Sequence, residues 1–377
     1  IGTLTIDRNA PELVFDNVTP TTVNIATASV SVQFTVDDVP DGNPLVKIGT
    51  EKSSNTPDTV ANGGKTFTYL FSDLSGISDG SKNVSVELSD DSGNPVTATW
   101  SGTVKFDRTA PEIISSNVAP SYVNAADSIL TVSFSFNEPM TAFNVADLSI
   151  SPSGVLDSPT CAPLDGNNQT ISCTIDTSAL DSGDDDDYTF TVTASDSSGN
   201  EMSAPLMVGT TTVDRTYPDA ALDTLAPEII TSVNNSMMVV FTTTETMKSD
   251  PVVKIGSEFS MDTANSVVGN QYTYIFSDLT GLTDGQKTIN VQLTDLAGNV
   301  FYKDLAGPLV DRTPPEVVSS NVAPQVANKD TDTISVSFAF NETMTPLINS
   351  DVVVNPPSIL PAHSCLSIPL GVVAVMT

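Results

Sequence analysis

A six-residue motif recurs along this chain of 377 residues and divides it into units of roughly a hundred residues. The motif reads Asp-Arg-Thr, then Ala or Pro, then Pro-Glu, and its full copies are Asp107–Glu112 and Asp311–Glu316. Variants lie at Asp7–Glu12 and at Asp214-Arg215, where we interpret Ala226–Glu228 as a displaced end of the motif. A long fixed period is typical of tandem modules. We therefore expect an array of similar modules rather than one globule.

The units alternate between two kinds, A and B. Val46–Gly49 returns as Val253–Gly256, and Ser115–Pro120 returns as Ser319–Pro324, where 319 − 115 = 204. The pattern A-B-A-B indicates that a cassette of two modules was duplicated. The predicted organisation is the last strand of a preceding module over 1–10, type A over 11–108, type B over 109–215, an extended linker over 216–226, type A over 227–312 and a truncated type B module over 313–377. An alternative to truncation is that one chain donates its first strand to the unfinished module of a neighbour.

Apolar residues alternate with polar ones inside each unit, as in Val30–Val36, Ile129–Phe136 and Thr189–Thr193. A period of two places apolar groups on one face of a strand, and β-branched residues favour that structure. Asp-Gly and Gly-Asn turns occur at short intervals between these segments. The sequence therefore predicts an all-β fold of tandem Ig-like antiparallel sandwiches in an elongated array.

Three motifs together resemble those of the bacterial Ig-like repeats of large surface adhesins and other cell-envelope proteins. They are the entrance motif Asp107–Glu112, the triplet Phe136–Glu138 after an early strand, and Leu293–Asn299 before the last strand. The resemblance spans nearly the whole chain and implies an extracellular, cell-surface protein. The antibody pattern is absent, because no pair of cysteines brackets Trp100, the single tryptophan.

The charge excludes two classes of partner. Forty-six acidic residues against fourteen basic ones leave a net charge of −32, which opposes binding to nucleic acid or to an anionic membrane. No segment reaches the roughly twenty apolar residues that span a bilayer. The expected partners are neighbouring modules of the same chain and, through a tip domain, a surface glycan or protein.

The cysteines predict one disulfide. Cys161 and Cys173 flank the turn-rich segment Asp165–Asn168, which favours a cross-strand disulfide in an oxidising compartment, with free buried thiols as the alternative. Cys365 repeats Cys161, since 161 + 204 = 365, and the matching partner position is Thr377.

Calcium at the module junctions is the strongest hypothesis for a site, because Ca²⁺ prefers carboxylate and carbonyl oxygens. In the resembling adhesin repeats, calcium at linkers stiffens the array. The candidate ligands are the exit residues Asp7, Asp107, Asp214 and Asp311, the entrance residues Glu12, Glu112, Glu228 and Glu316, and the loop residues Asp90, Asp196 and Asp295. The alternatives are that Asp-Arg is a local ion pair and that Asp-x-x-Gly-Asn is only a hairpin turn.

The sequence does not favour an enzyme. The lone His363 lies in no catalytic motif, and no nucleophile elbow, metalloprotease helix or phosphate loop is present. The first hypothesis is a rigid stalk that projects an adhesive domain. A self-assembling surface-layer or filament subunit is the second, and a carbohydrate- or protein-binding module is the third.

Overall fold

The chain is built almost entirely of β-strands. The computed structural model describes residues 2, 6–156, 158–328, 331, 333–345, 347–353 and 355, with the backbone of 363–368 and 371–376. It forms two compact units, Ile1–Tyr217 with Ala297–Asn299, and Pro218–Leu296 with Val300–Thr377. No helix among the described residues is long and apolar enough to cross a membrane.

The first sandwich lies in the first unit. Its strands are β1 (Leu13–Thr19), β2 (Thr22–Val23), β3 (Val30–Val36), β4 (Leu45–Ile48), β5 (Lys52–Ser54), β6 (Thr59–Ala61), β7 (Thr66–Phe71), β8 (Gly80–Lys82), β9 (Val84–Ser89), β10 (Pro95–Thr99) and β11 (Val104–Phe106). They form sheets in the orders β1-β3-β7-β6, β10-β9-β4-β5 and β2-β11-β8. All pairs are antiparallel except β2 with β11, which is parallel.

The second sandwich completes the first unit. Its strands are β12 (Ile113–Ala119), β13 (Tyr122–Val123), β14 (Ile129–Phe136), β15 (Leu148–Ser151), β16 (Thr160–Pro163), β17 (Thr170–Asp176), β18 (Asp186–Val192) and β19 (Leu206–Val213), with a 3-10 helix at Val145–Asp147. The sheet orders are β12-β14-β17-β16 and β13-β19-β18-β15. Cys161 on β16 lies opposite Cys173 on β17, and the two form a disulfide.

The third sandwich lies in the second unit. Its strands are β20 (Ala220–Ala226), β21 (Ile229–Ile230), β22 (Met237–Thr243), β23 (Val252–Ile255), β24 (Phe259–Met261), β25 (Ser266–Val268), β26 (Gln271–Phe276), β27 (Gly285–Thr294) and β28 (Val300–Val310). The sheet orders are β20-β22-β26-β25 and β21-β28-β27-β23-β24. The continuous strands β27 and β28 replace the interrupted pairs β8/β9 and β10/β11 of the first sandwich.

The last part of the chain forms one sheet among the described residues. Its strands are β29 (Val317–Ala323), β30 (Ile334–Phe340), β31 (His363–Ile368) and β32 (Gly371–Met376), in the order β29-β30-β32-β31, with a 3-10 helix at Asn349–Asp351. The strand order repeats β12-β14-β17-β16, and the two 3-10 helices are 349 − 145 = 204 residues apart. The prediction over 313–377 falls partly outside the described residues, as do that over 1–10 and the side chains of Cys365 and Thr377.

Alternating residues fill each core, as the period of two predicts. Along β3, the side chains of Val30, Val32, Phe34 and Val36 are buried, while those between them are partly exposed. Apolar burial stabilises by roughly 25 cal/mol per Å², so each sandwich has its own driving force for folding. Within the part of the chain that the structure describes, three separate core clusters, one for each of the first three sandwiches, result from this pattern.

The extended linker predicted over 216–226 is wrong, because most of it is strand β20. This strand pairs with β22 and has a register shift between Leu222 and Thr224, just as β1 has one between Phe15 and Asn17. The true entrance motif is therefore Tyr217-Pro218-Asp219, which precedes β20 as Glu112 precedes β12. Ala226–Glu228 lies at the other end of the strand, so the third sandwich starts before the predicted boundary at residue 227.

Candidate metal centre at the junction of the first two sandwiches

Three carboxylates meet where the first sandwich ends and the second begins. Asp107 follows the last strand of the first sandwich, Glu138 follows β14, and Asp196 opens the loop after β18. Each residue offers one oxygen, and these oxygens lie within 4.8 Å of one another. Two ligands at about 2.4 Å from one calcium ion lie at most about 4.8 Å apart. The spacing therefore suits one shared cation, although three oxygens supply only part of its shell.

Asp196 is held by its own loop. It has no exposed surface, and its Oδ1 accepts the backbone amides of Ser198 and Asn200, both at 2.8 Å. Its Oδ2 accepts Asn200 Nδ2 at 2.6 Å. The hairpin-turn interpretation therefore accounts for the position of Asp196, while its Oδ2, which accepts a single hydrogen bond, retains acceptor capacity.

Asp107 has a polar environment that favours its charged form. Its Oδ2 accepts Ser198 Oγ at 2.8 Å and pairs with Lys105 Nζ at 3.0 Å. Burial raises the pKa of Asp107, but the Ser198 hydrogen bond and the Lys105 ammonium outweigh it, so the pKa lies below its ordinary value. Lys105 thus neutralises part of the negative charge of the cluster through its ion pair with Asp107.

Glu138 is the member with an unmet requirement. Its Oε1 is buried and has no hydrogen-bond partner. Burial, and then the charges of Asp107 and Asp196, raise the pKa of Glu138. A buried acceptor without a partner is costly, so this oxygen fits a site that takes a cation. Glu342, which repeats Glu138 in the second Phe-Asn-Glu triplet, also has a buried Oε1 without a partner.

The entrance residues do not join this cluster. The side chain of Glu112 is exposed, and its backbone amide donates a hydrogen bond to Asn137 Oδ1 at 2.9 Å. Glu12 and Glu316 are exposed with the same type of contact, to Asp37 at 2.7 Å and Asn341 at 2.8 Å. Glu228 is exposed beyond β20, where its carbonyl accepts the Leu309 amide at 2.9 Å.

The other predicted exit and loop residues are placed by their own strands. Asp7 is exposed, and its Oδ1 accepts a hydrogen bond from the backbone amide of Asn9 at 3.0 Å. The backbone amide of Asp311 donates to Ile230 O at 2.9 Å. Asp90 is 2% exposed in a loop bonded like that of Asp196. The residue types of the cluster recur in the sequence as Asp214, in the first unit, and Glu245 and Asp295, in the second.

The sequence motifs did not single out two residues of this carboxylate cluster and its surroundings, Glu138 and Lys105. Glu138 belongs to the Phe-Asn-Glu triplet repeated at 340–342, so its repetition was a usable signal for a ligand. Lys105 has no such signal, because the residue two places before the exit aspartate is Thr212 or Leu309 in the later units. The structure alone reveals that its ammonium meets the cluster.

Glu138→Gln is expected to stabilise the first unit in the presence of a chelator. The folded protein keeps the Glu138 proton to higher pH than the unfolded chain, so ionisation costs stability as the pH rises through the raised pKa, and the cost is complete above it. The variant removes that cost at neutral pH and changes little in acid below the ordinary pKa of a glutamate. Thermal unfolding measured across this pH range tests the prediction.

Glu112→Gln is the matched control, since it makes the same change at an exposed residue near the same junction. It is expected to have a smaller effect at every pH. A Glu138→Gln variant that is less stable than the parent in chelator at neutral pH would contradict the role assigned to this carboxylate.

Comparison with known proteins finds similar solved structures. A 1.5-MDa bacterial ice-binding adhesin, studied for its retention at the host cell surface, is 20% identical, with 80% of this chain and 98% of that chain covered and a TM-score of 0.41. A Ca²⁺-stabilised ice-binding adhesin of an Antarctic bacterium is 20% identical, with 88% and 83% covered and a TM-score of 0.37. A tetra-tandem repeat from the extending region of a large adhesion protein is 21% identical, with 85% and 80% covered and a TM-score of 0.31.

The first two matches are bacterial adhesins and the third is a tandem repeat of a large adhesion protein, which is the kind of protein that the sequence motifs resemble. Similarity at this level carries no argument about function. No protein-family model matches the chain, and no curated protein matches it.

Proposed function

We propose that this chain is part of an extracellular stalk of tandem Ig-like modules that holds a binding domain away from a microbial surface, with calcium stiffening the junctions. The observation that carries the proposal is the convergence of Asp107, Glu138 and Asp196, with Glu138 Oε1 buried and unpartnered. Acids contributed by two successive sandwiches repel one another unless a cation neutralises them. The junction is therefore a place where a divalent ion would hold two modules together.

Calcium would be held by one oxygen from each of these three carboxylates, with other oxygens completing its shell. The ion would supply positive charge that links the end of β11 to the loops of the second sandwich. Extracellular modules typically bind calcium with a Kd of about 10⁻⁴–10⁻³ M. At about ten times the Kd, binding stabilises the folded form by about 1.4 kcal/mol.

The overall charge supports a mechanical role outside the cell. A net charge of −32 keeps modules soluble and separated, and it attracts cations from the medium. The disulfide between Cys161 and Cys173 suits an oxidising compartment. A function in mechanics rather than chemistry also agrees with the lack of a catalytic motif around His363.

Calorimetric titration with calcium tests the site directly. The chain carrying Asp107→Asn and Glu138→Gln is expected to bind one calcium ion fewer than the parent, while Glu112→Gln is expected to leave the number unchanged. Equal stoichiometry in the parent and the double variant would remove the metal from the proposal.

Small-angle scattering tests the mechanical part. In the parent chain, calcium is expected to narrow the range of maximum dimensions that the molecules adopt. The scattering of the double variant in calcium is expected to match that of the parent in chelator. If the scattering of the parent is the same in calcium and in chelator, calcium does not stiffen the chain. Particles that grow with protein concentration when calcium is added would favour the self-assembling subunit instead.

A further inference from the structure

Two preformed elements meet at the junction of the first and second sandwiches. The asparagine turn, Asn24–Thr27, is closed by two hydrogen bonds. The backbone amide of Asn24 donates to Thr27 Oγ1 at 3.0 Å, and the backbone amide of Thr27 donates to Asn24 O at 3.1 Å. The glycine loop, Asp196–Asn200, is closed by the bonds to the Asp196 carboxylate described above. Each element is ordered by its own hydrogen bonds, so little entropy is lost when they meet.

The asparagine turn binds the glycine loop through its side-chain amide and its backbone. Asn24 Nδ2 donates to the carbonyl of Ser198 at 3.1 Å and, at a longer 3.3 Å, to that of Gly199, and the Ile25 backbone amide donates to Asn200 Oδ1 at 2.8 Å. A Cβ added to Gly199, whose φ is +84°, would lie 3.1 Å from Asn24 Nδ2. Glycine therefore favours both the backbone conformation and the close approach of the asparagine side-chain amide.

The same contact occurs a second time within the first unit. Asn124 Nδ2 donates to Ala297 O at 3.0 Å, and the Ala125 amide donates to Asn299 Oδ1 at 2.9 Å. A Cβ on Gly298, whose φ is +97°, would lie 3.3 Å from Asn124 Nδ2. The repetition with different flanking residues indicates a general mode of docking between an asparagine turn and a glycine loop.

A third glycine loop, Asp90–Asn94, has the same internal structure. The Asp90 carboxylate accepts the amides of Ser92 and Asn94, both at 2.9 Å, and Asn94 Nδ2 at 2.8 Å. Gly93 has a φ of +84°, equal to that of Gly199, but a Cβ added there meets no atom within 4 Å. No asparagine turn contacts this loop among the residues that the structure describes.

We propose that the Asp90–Asn94 loop is a docking site for the asparagine turn of a further β-sandwich module of this kind. The incoming asparagine side-chain amide would donate to the carbonyl of Ser92, the counterpart of Ser198 and Ala297, and the next backbone amide would donate to Asn94 Oδ1. Asn94 Nδ2 already approaches Asp7 O at 3.5 Å, as Asn200 Nδ2 approaches Asp107 O at 2.8 Å. The inference rests on the tandem-module part of the proposed function but not on calcium.

An extended chain provides the test. Residues 1–7 are replaced by a second copy of residues 109–214, so that an Asn124 turn is placed ahead of Arg8, and Trp100 remains the single tryptophan. Trp100 packs against the core of the first sandwich, so its fluorescence reports the unfolding of the sandwich that carries the loop. In chelator, we expect the Trp100 melting midpoint to rise by about 5 °C in the extended chain. Asn124→Ala in the added copy is expected to abolish the rise.

Gly93→Ala and Gly76→Ala separate docking from backbone strain. Both glycines have positive φ, +84° and +78°, and open space around the added Cβ, so both variants should lower the midpoint similarly in the original chain. In the extended chain, Gly93→Ala is expected to lower the Trp100 melting midpoint by more than Gly76→Ala does. An unchanged Trp100 midpoint in the extended chain, or equal costs of the two variants there, would overturn the proposal. Because calcium is chelated throughout, failure of the metal site would not alter this result.

Discussion

Replacement of Phe34 by alanine is expected to lower the free energy of unfolding of the first sandwich by about 3–5 kcal/mol. Phe34 has no exposed surface, and its ring stacks against Phe67 at 5.5 Å and Tyr69 at 6.0 Å. Removal of the ring loses its transfer free energy and leaves a cavity that the surrounding strands fill only in part. Urea unfolding followed by Trp100 fluorescence measures the change.

Phe241→Ala is the matched control for this prediction. Phe241 is equally buried in the third sandwich and stacks against Tyr272 and Tyr274, both at 5.8 Å. Since the third sandwich has its own core, this variant is expected to leave the Trp100 transition unchanged. Equal shifts of that transition in both variants would contradict independent folding of the sandwiches.

Reduction of the disulfide is expected to destabilise the second sandwich by about 3 kcal/mol. Cys161 and Cys173 are 12 residues apart, and a link of this length restricts the unfolded chain by roughly that amount. Hydrogen exchange measured by mass spectrometry in excess reductant should therefore accelerate in peptides from β14 and β17. Both strands lie in the sheet that contains the disulfide.

Peptides from β3 and β9 are the internal control, because the first sandwich contains no cysteine. The variant Cys161→Ser with Cys173→Ala should exchange at the reduced rate with or without reductant. Acceleration of equal size in both sandwiches would show that the disulfide is not a local constraint.

The motif at the start of the third sandwich shows how a local pattern can mislead. Ala226–Glu228 matches Ala110–Glu112 letter by letter, whereas the true counterpart, Tyr217–Asp219, matches it only in its proline and acidic residue. The two positions lie at opposite ends of β20. Only the pairing of β20 with β22, with its register shift, identifies which of them enters the sandwich.

The sequence by itself determined the strand pattern and the repeated two-module spacing, and it predicted the pairing of Cys161 with Cys173. These depend on residues that are near one another along the chain or on a repeated spacing. The tertiary structure decided that Glu138 joins Asp107 and Asp196, and that Asn24 binds the carbonyl of Ser198. Each of these contacts joins groups of two successive sandwiches, so it depends on how the loops at the module ends are placed, and the hydrophobic period carries no information about that placement.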